Sequence, residues 1–121
     1  MSRAAPEQAP IPENPEDLKL ITLARAALGR TGAPQGACVR DTDGRAYVGT
    51  SVHLEHLRLS AIAVAMAMAV SSGATGVEAA ALVGQEQPTA EDLGILRDLA
   101  IEGAVIWLVD HRGTVQSMID L

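Results

Sequence analysis

The sequence predicts an α/β fold in three layers, with helices on both faces of a mixed five-stranded sheet and elements in the order α-β-β-α-β-α-β-β. Two apolar runs, VEAAALVG at 77–84 and AVIWLVD at 104–110, are nearly unbroken, which suits strands covered on both faces. The segments between and ahead of them carry helix start signals and helical spacing. Two short turns, DTDG at 41–44 and HRG at 111–113, leave room only for an antiparallel return of the chain. At 121 residues the chain is long enough for one real core and too short for two. Neither an internal repeat nor an interdomain linker interrupts it.

Four prolines and four acids fall within the first 17 residues, a composition that cannot bury enough apolar surface to order itself. Residues 1–13 are therefore expected to be a solvated tail, ahead of a domain over 14–121. With no apolar segment after its basic start, the tail does not read as a secretory leader. Asn14, Pro15, Glu16 and Asp17 then make a helix start: a side-chain acceptor, a ring that needs no N–H, and acids at the positive end of the dipole. Leu18, Ile21 and Leu28, widened by Leu20 and Ala24, mark its buried face, and Gly29 or Gly32 ends it. GACVRD and RAYVGT pair as a hairpin across DTDG. The acids of that turn lack the rest of a calcium loop and serve the turn itself.

The run SAIAVAMAMAV at 60–70 alternates large and small side chains, as a strand would tolerate. Ala and Met favour helix, however, and the twelve residues from 59 to 70 are long for a strand. They also fall short of the roughly 20 apolar residues a membrane span needs. A helix apolar on every side must be covered by sheet on one face and by helices or another subunit on the rest. VEAAALVG follows as a central strand. In PTAEDLGILRDLAIEG, Thr89 and Asp92 form a capping box, and Leu93, Leu96 and Ala100 form a helical stripe. AVIWLVD and GTVQSMI complete the sheet.

Apolar residues are 48% of the chain and aromatics only 2%, with no Phe, so the interior must be aliphatic and Ala-filled around Trp107 and Tyr47. A net charge of −6, without a basic run or a stacking platform, argues against nucleic acid as a partner, and no segment argues for a membrane. Cys38 stands alone, so no intrachain disulfide can form, and a cytoplasmic location is expected. On a predicted strand, with no neighbouring pattern that would lower its pKa, it reads as a buried small hydrophobe rather than a nucleophile.

Several strings in one order resemble the cytidine deaminase family: GACV, DGRAY, VGTSV, a helix closing with AVSSG, an apolar strand, and a downstream G-x-x-R. The resemblance runs from residue 14 to about 118, and between Ser60 and Arg97 its spacing needs no gap. In that family the central helix opens with Cys-Ala-Glu, where Cys binds zinc and Glu shuttles protons, and a later Pro-Cys-x-x-Cys supplies two more ligands. Three such ligands hold Zn²⁺ with one position open, and the metal acidifies a water that attacks the base at C4. The resemblance places SAI at 60–62 on the first signature and DLGILR at 92–97 on the second. The ligand positions become Ser60, Leu93 and Leu96, and the acid/base position becomes Ile62. A Ser hydroxyl is a poor zinc ligand, while Leu and Ile can neither coordinate a metal nor move a proton.

The expectation is a degenerate, catalytically inactive member with no metal and no cofactor, its site refilled as core. Each buried Leu or Ile contributes roughly 1.5–3 kcal/mol by leaving water. The family's Asn-Val-Glu, which reads the ribose, aligns with SVH at 51–53, leaving Ser51 and His53 as the candidate ligand-binding residues. The connection between Val52 and Ser60 is also shorter than the family's.

His53, Glu55 and His56 are the one other set of possible metal ligands. In a helix the two histidines would share a face, and two His with a carboxylate can hold zinc or iron, but the spacing is not i, i+4. A polar helix entrance is the expected reading. Met66 and Met68 are packing residues suited to a subunit contact, and no sequence feature places a base beside Ser60. The functional expectation is a protein acting structurally or through assembly. The resemblance implies a homo-oligomer, dimer or tetramer, and an unidentified protein partner is the other route. The alternative is a non-catalytic sensor that binds a nucleoside or other small molecule.

Overall fold

The computed structural model describes residues 10–84 and 86–121. The tail expected over 1–13 lies mostly outside the described residues; of its last four, Ile11 is exposed and Pro12 is buried. Helix α1 (Pro15–Thr31) is capped by Asn14, whose side chain accepts from the N–H of Glu16 at 2.9 Å. Gly32 ends it at φ 69°, in the left-handed region that glycine takes without strain, while Gly29 is carried inside the helix. Its buried face is Asp17, Leu20, Ile21, Ala24 and Ala27, and Leu18 stays 47% exposed. The expected stripe is thus rotated, because Asp17 is drawn inward by partners on the sheet.

Strands β1 (Gln35–Asp41) and β2 (Ala46–Thr50) form the expected hairpin, paired from Gly36 with Thr50 to Arg40 with Ala46. Asp41, 1% exposed, organises the turn. Its Oδ1 accepts from the N–H groups of Asp43 and Arg45 at 3.0 and 2.8 Å, and its Oδ2 from the Tyr47 hydroxyl at 3.0 Å. Burial works against its charge, but these donors hold the carboxyl below the usual carboxylate range.

Strands β3 (Val52–His53) and β4 (Arg58–Leu59) make a separate small hairpin that the sequence did not announce. Helix α2 (Ala61–Ser71), β5 (Val77–Gly84), helix α3 (Ala90–Arg97), β6 (Ala100–Val109) and β7 (Val115–Asp120) follow. Ala100 opens β6, opposite Val77, instead of closing the stripe of α3, because that helix stops at Arg97. The main sheet runs β2-β1-β5-β6-β7. Among the described residues only β5 and β6 pair in parallel, and β5 is central as expected.

Alternation along β5 divides the core between the two faces. Ala79, Ala81 and Val83 pack toward α1 with Leu20, Ala24, Cys38 and Trp107, while Ala80 and Leu82 pack toward α2 and α3 with Ile62, Met66 and Leu96. Burial pushes the Cys38 thiol up to about 12, so it is an inert packing group. On the α1 face Arg40 Nη1 donates to Asp17 Oδ1 at 2.7 Å, Arg40 Nε to Glu78 Oε2 at 3.0 Å, and Trp107 Nε1 to Asp17 Oδ2 at 3.0 Å.

Helix α2 is covered by the sheet along Ala61, Ile62, Ala65, Met66 and Ala69, but Met68 and Val70 are 51% and 56% exposed. The expected cover by sheet and helix comes from β1, β5 and α3, while no described element of the chain lies over the outer face of its last turn. No helix of the described residues is long and apolar enough to cross a membrane. The sheet meets α2 at close quarters: a Cβ on Gly49 would lie 2.6 Å from Val64 Cγ1 and 2.9 Å from the backbone N of Ala65. Gly49→Ala should therefore lower stability by about 1–3 kcal/mol. The check is a lower urea midpoint at unchanged slope.

Candidate functional site

Helices α2 and α3 start side by side, and one carboxylate joins their starts. Ser60 caps α2, its Oγ accepting from the N–H of Ala63 at 3.0 Å. The same hydroxyl donates to Asp92 Oδ1 at 2.6 Å. Asp92 is the third residue of α3 and completes its capping box. Its N–H donates to Thr89 Oγ1 at 3.0 Å, and its Oδ2 accepts from the N–H of Thr89 at 3.2 Å. The charge is 5% exposed and sits at the positive ends of two helix dipoles, where a carboxylate is favoured.

Beneath this link the side chains are hydrocarbon. Ile62, in the first turn of α2, and Leu96, in α3, are both 0% exposed and belong to one core cluster, with the half-buried Leu93 packed against it. Beside the link opens a cleft of about 750 Å³ at the carboxyl end of β5. Ser51 and Gln35 come from the sheet side, His53 and Arg58 from the β3–β4 hairpin, and Glu86, Thr89, Glu91 and Asp92 from the segment after β5. Gln35 Nε2 donates to the carbonyl of Glu86 at 3.0 Å and anchors that segment. Ser51 Oγ is buried without a hydrogen-bond partner among the described residues.

Three of the residues singled out from sequence, Ser51, His53 and Ser60, therefore line one cleft, while Ile62 and Leu96 lie in the core below it. Two expectations are corrected. Residues 53–56 do not enter a helix: Leu54 N–H donates to the carbonyl of Leu57, and Arg58 Nε to that of Leu54, which folds the segment into a turn. Glu55 and His56 point to solvent, 85% and 90% exposed, 3.3 Å apart. Ser60 also has a carboxylate beside it after all. That partner lies 32 residues away, and only the capping box hinted that an acid would stand at the start of α3. With no imidazole in contact, and with Oγ accepting from Ala63, the hydroxyl is held as a cap and not freed as a nucleophile.

Zinc, the metal the resemblance implies, does not fit these residues. One hydroxyl committed to Asp92, two leucines and an isoleucine offer neither thiolate nor imidazole. The single thiol, Cys38, packs on the opposite face of the sheet. No group of three His, Cys, Asp or Glu among the described residues is placed to hold a metal ion. Ser60→Ala should remove the cap and one donor to Asp92, costing about 1–2 kcal/mol in a thermal or chemical melt.

Among curated proteins nothing matches the chain. Among solved structures it is similar to the cytidine deaminase from Burkholderia pseudomallei, with 23% identity over 84% of this chain and 90% of that one and a TM-score of 0.73. The enzyme from Mycobacterium leprae gives 21%, 74%, 85% and 0.65, and that from Mycobacterium tuberculosis 23%, 73%, 80% and 0.63. At such identities the likeness is one of fold, the same mixed sheet between helices. A family model described as cytidine deaminase-like matches residues 13–113, which takes in both helix starts and the cleft between them, and the chain belongs to that family.

Proposed function

We propose that this chain is a cytidine deaminase-like protein that carries no zinc, deaminates nothing, and acts through assembly. The observation behind this reading is the full burial of Ile62 and Leu96 in one apolar cluster. They stand where the resemblance expects a proton-carrying Glu and a zinc-binding Cys, with Ser60 and Leu93 at the other two ligand positions. Deamination needs a metal-activated water and a proton carrier within hydrogen-bond reach, and hydrocarbon supplies neither. The half-exposed Met68 and Val70 at the end of α2 support association with a second copy or another protein, as a dimer or tetramer. A cytoplasmic setting suits a chain whose one cysteine is a buried free thiol.

Purified protein incubated with zinc and cytidine should form no uridine above background and take up no stoichiometric zinc by elemental analysis. Turnover, or one zinc per chain, would end the reading. Light scattering should return the mass of two or four chains; the mass of one would remove the self-assembly part. The cleft and the unpartnered hydroxyl of Ser51 favour a second reading, a protein that binds a small molecule without converting it.

A further inference from the structure

The cleft beside α2 and α3 has a chemical bias. Asp92 is 5% exposed, and among the described residues no Lys, Arg or His forms an ion pair with it. Buried carboxylates are seldom left without a cation. Oδ1 accepts from Ser60 and Oδ2 from the N–H of Thr89, one bond each, so both oxygens keep a lone pair. Ser51 lines the same cleft with its Oγ buried and unpartnered, an arrangement that destabilises the fold until something bonds to it.

The charges point the same way. The starts of α2 and α3 together amount to about one positive charge, which the Asp92 carboxylate balances. Of the remaining lining groups, Glu86 and Glu91 outnumber Arg58, with His53 counted as neutral. We infer that the cleft takes a small ligand with a cationic head, an ammonium or amidinium, whose N–H groups donate to Asp92 and Ser51. An ammonium has three donors and no acceptor, which matches the lone pairs left on Asp92; the Ser51 hydroxyl, which donates as well as accepts, can take one of those donors. A phosphate or carboxylate would meet acceptors and an excess of negative charge. The inference rests on the small-molecule reading above and goes past it by naming the charge of the ligand.

The test titrates the full chain with benzamidine, uridine and inorganic phosphate, following Tm and calorimetric heat. Benzamidine should raise Tm by about 5 °C at ten times its Kd, with the other two leaving it unchanged. Asp92→Asn removes the charge and keeps one of the two acceptor oxygens, for Ser60 or for the N–H of Thr89, and should weaken benzamidine about tenfold or more. Should that variant fail to fold, the pair Glu86→Gln and Glu91→Gln, both exposed, should weaken it about threefold. Equal benzamidine affinity in the wild type and Asp92→Asn overturns the inference. Binding of uridine or phosphate in preference to benzamidine overturns the charge assignment but leaves the small-molecule reading standing. No response to any of the three ends both.

Discussion

Ile62→Glu should lower Tm by about 15 °C, a loss of about 4 kcal/mol from the roughly 5–15 kcal/mol that holds a domain of this size together. The side chain is 0% exposed among Ala61, Ala65, Met66 and Leu96. Its replacement forfeits roughly 2–3 kcal/mol of burial and sets a carboxylate in hydrocarbon with no partner. Ile62→Val, which removes one methylene, should cost only about 1 kcal/mol. The contrast discriminates between two states of the same position. A glutamate tolerated at 62 would mean that water and polar partners still reach the place where the resemblance expects an acid/base, and the claim of a refilled core would fail. Thermal melts of the two variants decide it.

The second large effect is expected at Asp17. Burial works against the charge of Arg40, but its hydrogen bonds to Asp17 and Glu78 outweigh that and raise its pKa above the ordinary value. Asp17→Ala would leave the guanidinium with Glu78 alone and the Trp107 N–H with no acceptor. Removing one member of a buried pair costs about 3–5 kcal/mol, or about 12 °C and more in Tm. The double variant Asp17→Ala with Arg40→Met removes both charges and should recover part of that loss. Denaturant melts of the four proteins form a double-mutant cycle, and strictly additive effects would show that the pair is not coupled.

Caps and continuous apolar runs are local properties, which is why the main sheet and its helices were legible. Asn14 and Thr89 cap the helices they precede, and β5 lies at the centre as its unbroken burial demands. What escaped the sequence depends on partners far along the chain. Asp17 reads as an acid at a dipole, yet its hydrogen-bond partners lie 23 and 90 residues away, and they turn α1 so that Leu18 faces out. The Ser60–Asp92 bond is of the same kind: each residue's own cap can be read, but not that the two helix starts meet. The β3–β4 hairpin was missed because its strands are two residues each: VHLE and HLRL both alternate, but over only four residues, and no turn signal such as Asn-Gly lies between them. An all-apolar α2 looks the same in sequence whether its last turn is covered or bare.

Trp107 is the only tryptophan, and the chain has no phenylalanine. Its indole is tied to Asp17 on α1, so intrinsic fluorescence watches one layer of the molecule in particular. If α1 lifts from the sheet, the ring becomes wet and its emission moves to longer wavelength, while far-ultraviolet circular dichroism still registers the remaining helices and strands. Melting curves from the two signals will coincide if the layers separate together and diverge if α1 leaves first, so peeling of one face can be followed without attaching a dye.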